Sequence, residues 1–136
     1  MKMKNKYIVR ARISEAKFRQ IVKLYAFDMQ ANQIAQLTGI SRNSINSYLK
    51  AMRKRIAEYC EEEEKRAGIE ATFDLSNDME AFWIFTKTRL ARFRGLPEHS
   101  RSLHIKESEF RYRHRNTDLY ALLLKIFRER PLRLSE

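Results

Sequence analysis

The chain has 136 residues, 43% of them hydrophobic, and a formal net charge of +11. That hydrophobic share supports a packed core and excludes a wholly disordered chain. With only 3 Gly and 2 Pro among residues dominated by helix formers, the composition points to an all-α fold rather than a turn-rich β architecture. The charge is uneven: residues 1–60 hold 13 Lys/Arg against 3 Asp/Glu. That segment is the part suited to a polyanionic partner, although charge alone requires no particular fold. Cys60 is the single cysteine, which excludes an intrachain disulfide and fits a reducing compartment. No apolar run reaches membrane-spanning length, and the basic start "MKMKNKYIVRAR" lacks the apolar stretch of a signal peptide. The expected location is cytoplasmic, at the nucleoid, with no membrane partner.

In chain order, Lys2, Lys4, Lys6, Arg10 and Arg12 form a basic tail, with weak strand character at "YIVR". The tail reads either as a minor-groove or phosphate-tracking arm or as a disordered, solvated end. Ser14 is placed to cap a helix over 14–27, whose apolar residues Phe18, Ile21, Val22, Leu24 and Tyr25 recur at helical spacing. A short helix over "ANQIAQLT" follows and stops at Gly39. A third helix starts with Ser41 as its cap in "SRNSINSYLK". Its stripe of Ile45, Leu49, Met52, Ile56 and Tyr59 reads as core packing or as a short dimer seam. "EEEEKR" at 61–66 reads as a solvated helix end, and 67–78 as a linker.

Three further helical segments are expected, at about 78–93, 100–115 and, capped by Thr117, in "DLYALLLKIFRER" up to Pro131. Leu119, Leu122, Leu123, Ile126 and Phe127 would form the buried face of the last. The expected organisation is a basic arm plus three-helix domain at 1–66, a linker at 67–78, and a C-terminal three-helix segment at 79–136.

Ala35, Gly39 and Ile45 stand at relative positions 1, 5 and 11. There a small residue, a turn glycine and an apolar lock would join two crossing helices, with Ile34, Leu37, Ile40 and Leu49 packed around them. The pattern resembles a DNA-binding helix-turn-helix. The resemblance implies that Ser41, Arg42, Asn43, Ser44, Asn46, Ser47 and Lys50 face the major groove, with Arg12 in the arm. Arg and Asn suit guanine and adenine edges, while Ser and Lys suit phosphates. The plainer reading is a polar face on a helical bundle. Acid is absent from Gln30 to Arg55, which favours DNA. "RYRHR" at 111–115 interleaves aromatics with cations, and reads either as a second nucleic-acid contact or as a helix with Phe110 and His114 inward.

Two long stretches carry a more specific likeness. "RISEAKFRQIVKLYAFDMQANQIAQLTGISRNSINSYLKAMRKRIAEYC" resembles the N-terminal end of bacterial insertion-sequence DDE transposases of the ISXO-like group. "MEAFWIFTKTRLARFRGLPEHSRSLHIKESEFRYRHRNTDLYALLLKIF" resembles their C-terminal end. In that family an RNase H-like catalytic core lies between the two. The "E-x-F-W" block carries the last catalytic acid, with a cation seven residues on, and Glu80 and Lys87 match that pair. The chemistry is in-line displacement at phosphorus by two divalent metals held by three carboxylates.

The other two acids belong on core strands, for which a core of roughly 100 residues would be needed. Here only a helix end and a short linker, holding Asp74 and Asp78, separate the helix-turn-helix from Glu80. Ser108 and Arg113 also depart from the family's "E-C-E-F-R-F-N-H-R". The resemblance therefore implies a transposase whose ends are joined without the catalytic middle. Glu80 and Lys87 would be relics forming a weak surface ion pair, worth ~0–1 kcal/mol.

The implied partners are double-stranded DNA at insertion-sequence ends and either a second copy of the chain or full-length transposase, which would make the protein inhibitory. No cofactor is expected; Mg2+ would enter only with a complete site, and His99, His104, His114 and Cys60 lack metal-ligand spacing. The rival readings are a helix-turn-helix transcription regulator and one part of an active transposase completed by another chain.

Overall fold

The computed structural model describes residues 5–67, 78–93 and 98–134. Residues 68–77 of the expected linker, with Asp74, residues 94–97, and Lys2 and Lys4 lie outside them. Among the described residues the chain is all-helical, with α1 Glu15–Ala26, α2 Ala31–Thr38, α3 Arg42–Ala67, α4 Asp78–Leu90, α5 Glu98–Arg113 and α6 Leu119–Glu129. None of these helices is long and apolar enough to cross a membrane.

The helix ends follow from local chemistry. Ser14 Oγ accepts from the Lys17 N–H at 3.2 Å and opens α1. The Gln33 side chain reaches back to the Gln30 N–H at 3.0 Å and fixes the start of α2. Gly39 closes α2 at φ 74, a conformation that costs glycine no Cβ clash. Ser41 Oγ accepts from the Ser44 N–H at 3.2 Å and opens α3. The cap of α6 is Asp118, not Thr117 as expected: its carboxylate accepts from the Ala121 N–H at 3.1 Å. The site is one residue later, where a charged oxygen meets the helix's positive end.

The chain divides into two compact units, one of Met1–Arg55 with Thr117–Glu136 and the other of Ile56–Asn116. This division does not follow chain order, because α6 packs on α1 rather than staying with the 79–136 segment. Within the first unit Phe18 is fully buried at the meeting point of four segments. Its ring lies 5.6 Å from Tyr7, 6.4 Å from Tyr48 on α3 and 6.2 Å from Phe127 on α6.

The expected strand character at "YIVR" appears only as one isolated parallel bridge, Ile8 to Leu132. Val9 N–H donates to Leu132 O at 2.9 Å and Leu132 N–H to Tyr7 O at 2.8 Å. Arg55 Nη2 donates to Pro131 O at 2.6 Å. The two chain ends are thereby tied together. Residues 5–13 are accordingly packed rather than a solvated tail: Asn5, Tyr7, Ile8 and Ile13 are buried.

In the second unit, α5 lies between α4 and the Ile56–Ala67 part of α3. Glu107 is fully buried and accepts from Arg89 Nη2 at 2.7 Å and from Arg111 Nε at 2.9 Å. Ser108 accepts from Arg89 Nη1 at 2.9 Å and donates to His104 O at 3.0 Å. On another face of α5, Arg113 reaches Glu63 at 3.0 Å and Lys106 reaches Glu64 at 3.2 Å. The 61–66 run is therefore not simply a solvated end; Glu63 and Glu64 bind α3 to α5. The α3 stripe is also consumed internally: Ile45, Leu49, Met52 and Ile56 are 0–1% exposed within the single chain. Tyr59, the last of the stripe, is half-buried with its ring 5.9 Å from Phe110. Phe82 is buried and Phe85 half-buried, both against Tyr112, while Trp83 and Ile84 of the same helix stay exposed.

These contacts have measurable consequences. Phe18→Ala removes the ring shared by four segments and should cost about 3–5 kcal/mol, read as loss of far-UV helical signal at lower urea. Glu107→Ala strands two buried guanidinium groups and should cost the second unit about 3–5 kcal/mol. Its report is the fluorescence of Trp83, the single tryptophan.

Burial, and next the Glu109 carboxylate, push the Cys60 thiol from 9.0 up to about 12. The folded state favours the protonated thiol, so this contribution is complete below pH 9.0 and disappears as pH rises toward about 12. Across that window Cys60 should make urea stability fall by up to about 1.4 kcal/mol per pH unit. Cys60→Ala should lack that part of the slope, while burial-raised Tyr59 contributes with the same sign in both proteins.

Candidate nucleic-acid interface

The first two turns of α3 sort their side chains by helical period. Ile45, Tyr48, Leu49 and Met52 point into the first unit and are buried. Ser41, Arg42, Asn43, Ser44, Asn46, Ser47 and Lys50 are all exposed. The turn before them is held by residues of three kinds. Gly39 N–H donates to Ala35 O at 2.9 Å. Ile34 and Ile45 are fully buried beside the turn. Thr38, which spacing alone did not single out, is buried, donates to Ile34 O at 2.8 Å and accepts from the Ile40 N–H at 3.3 Å. Leu37 does not join this packing as expected; it is 57% exposed, because it falls on the outer face of a two-turn helix.

Beside this helix face opens a groove of about 1040 Å3. Ser44, Ser47 and Tyr48 of α3 form one wall, and Arg10, Arg12 and Arg133 supply its cations. None of the described residues lining it is acidic. The nearby Glu15 is engaged elsewhere: it accepts from the Lys6 N–H at 2.8 Å and lies 3.5 Å from Arg19. The serine hydroxyls are locally anchored. Ser41 Oγ donates to Ser44 Oγ at 3.0 Å and Ser47 Oγ donates to Asn43 O at 3.2 Å, so Ser44 keeps its own hydroxyl proton for another acceptor.

Of the expected contact residues, the groove gathers Arg12, Ser44 and Ser47. Arg42, Asn43, Asn46 and Lys50 share the exposed side of α3 outside the groove lining. Sequence reasoning missed Arg133 and Tyr48. Arg133 reaches the groove only through the bridge between the two chain ends, a pairing that leaves no local period to read.

Glu80 and Lys87 belong to the other unit and are both exposed on α4. Among the described residues no ion pair joins them, contrary to expectation. Two helical turns separate their backbones by roughly 10 Å along the axis, too far for a direct contact. Glu80 is a single carboxylate on a solvated face. Among the described residues no group of three His, Cys, Asp or Glu side chains could hold a metal. The described residues do not fit a two-metal centre, and no metal-dependent step is assigned to them.

The "RYRHR" stretch is largely occupied by the protein itself. Arg111 is buried against Glu107 at 2.9 Å. Arg113 is paired with Glu63 at 3.0 Å and Glu109 at 2.8 Å. His114 Nε2 lies 3.1 Å from Glu63 and its ring 4.9 Å from Phe110. Arg115 stacks 4.1 Å over the Tyr112 ring. Phe110 and His114 face inward as one reading had it, but the arginines are mostly bound rather than in water.

Comparison with protein-family models, curated proteins and solved structures finds no match to this chain, so the likeness to insertion-sequence transposases rests on the quoted stretches alone.

Proposed function

We propose that the chain binds double-stranded DNA through the first two turns of α3, as a transposase remnant that keeps end recognition and lacks strand transfer. The observation that carries this reading is the acid-free exposed face from Ser41 to Lys50, set beside a groove whose charged side chains are all arginines. A helix presented this way suits the major groove. Arg42 has the donor fork for guanine O6 and N7, and Asn43 and Asn46 have the paired donor and acceptor for adenine. Ser44 and Lys50 suit flanking phosphates, which fix register without reading sequence. The buried Ile45 and Leu49 hold the helix against its own unit, so the outward side chains start from a fixed base.

The absence of strand transfer follows from the chain between α3 and Glu80. Too few residues lie there to build strands carrying two more acids. Binding without cleavage would act by occupying insertion-sequence ends, or by mixing with full-length subunits at them.

The test is fluorescence anisotropy with duplex DNA from the gene's flanks, against a scrambled duplex. The native protein should prefer the flank duplex. Arg42→Ala with Asn43→Ala should remove about 2–6 kcal/mol of that discrimination, with the melting temperature unchanged because both side chains are exposed. Equal binding of the double variant and the native protein to both duplexes would refute α3 as the reader.

A further inference from the structure

The two ends of the chain meet on one side of the groove. The bridge at Ile8 and Leu132 sets Arg10 on one side of the tie and Arg133 on the other, and both line the groove with Arg12. Arg10 sits at φ 55, a left-handed conformation that a glycine or asparagine would occupy at less cost. Backbone strain held at a cationic residue beside an acid-free groove is an observation separate from the charge itself. Ser44 and Ser47 line the same groove as these arginines. Three guanidinium groups, with the Ser44 hydroxyl in the same lining as a further donor, match the charge and acceptor pattern of a phosphodiester backbone.

We propose that Arg10, Arg12 and Arg133 form a composite phosphate-binding site for DNA backbone adjoining the α3 reading face, with the C-terminal Pro131–Leu134 segment as a structural part of it. The inference rests on the DNA-binding reading above and deepens it: α3 reads bases, and the joined chain ends grip the phosphates beside them. The C-terminal segment is then not a passive end but the holder of one cation. The tie also explains why the site needs both ends: Arg133 takes its place only while Leu132 is paired to Tyr7 and Val9.

The experiment is a salt series of anisotropy titrations on the full chain with the flank and scrambled duplexes. Three variants are compared with native protein: Arg133→Ala, Arg133→Lys and Arg10→Gly. Arg133→Ala should weaken both duplexes equally, roughly fivefold at 0.15 M salt, and should reduce the log–log salt slope by about 0.9. Arg133→Lys should restore most of the slope, which a purely structural role for the tail would not require. Arg10→Gly relieves the left-handed backbone, so its melting temperature should hold or rise while its salt slope falls by a similar amount. That variant separates loss of binding from loss of folding.

If Arg133→Ala and Arg10→Gly bind with native slope while the Arg42 and Asn43 double variant loses flank preference, the composite phosphate site is wrong and the α3 reading stands. If native protein shows no salt-dependent binding to either duplex, both are wrong. A drop at Arg133→Ala that Lys does not restore, accompanied by a lower melting temperature, would overturn the charge-based site in favour of a packing role for the tail.

Discussion

The first unit is organised around the ring of Phe18. It is the side chain that Tyr7 of the arm, Tyr48 of α3 and Phe127 of α6 all reach. Aromatic rings at these separations add edge and stacking terms to the burial of large apolar areas. The consequence is positional as well as energetic. One contact orients the arm, another the exposed turns of α3, and the third the helix that leads to Arg133. The groove exists because these three segments converge on one residue of α1.

How much of this was legible depends on the range of the interaction. Most local signals are legible: Ser14 and Ser41 as caps, Gly39 as the left-handed stop, and the inward period of Ile45, Leu49 and Met52, with the α6 cap displaced by one residue to Asp118. Each is decided by residues within a few positions of each other. Interactions between distant segments were not legible. The pairing of residue 8 with 132, the reach of Arg113 to Glu63 and the burial of Arg89 against Glu107 join segments with no shared period. The left-handed Arg10 gave no signal either, since glycine or asparagine is the usual mark of that conformation. The exposed set from Arg42 to Lys50 was legible because a helix with one apolar stripe leaves its other side to solvent.

The second unit uses charge differently. Arg89, Lys106, Arg111 and Arg113 are spent on its own carboxylates, with Glu107 between two arginines and Glu63 between Arg113 and His114. A buried network of this kind specifies which helix faces meet, and breaking it exposes an uncompensated charge. The cations of the groove have no such carboxylate among the described lining residues. Within "RYRHR" Arg111 and Arg113 are bound to carboxylates of the protein itself, whereas Arg10, Arg12 and Arg133 are exposed. The Glu80 and Lys87 pair belongs to the same contrast. Both side chains are exposed on α4, and among the described residues no group of three His, Cys, Asp or Glu could hold a metal.

The proposed DNA-facing surface joins the first turns of α3 to the segments tied by the Ile8–Leu132 bridge. The most direct measurement is amide chemical-shift mapping of the 15N-labelled chain, at 16.4 kDa a suitable size, titrated with flank duplex. Shifts should cluster in residues 41–50, 9–13 and 132–134 and leave α4 and α5 unchanged. Shifts centred on α4 or α5, with residues 41–50 unaffected, would contradict a DNA-facing surface on α3.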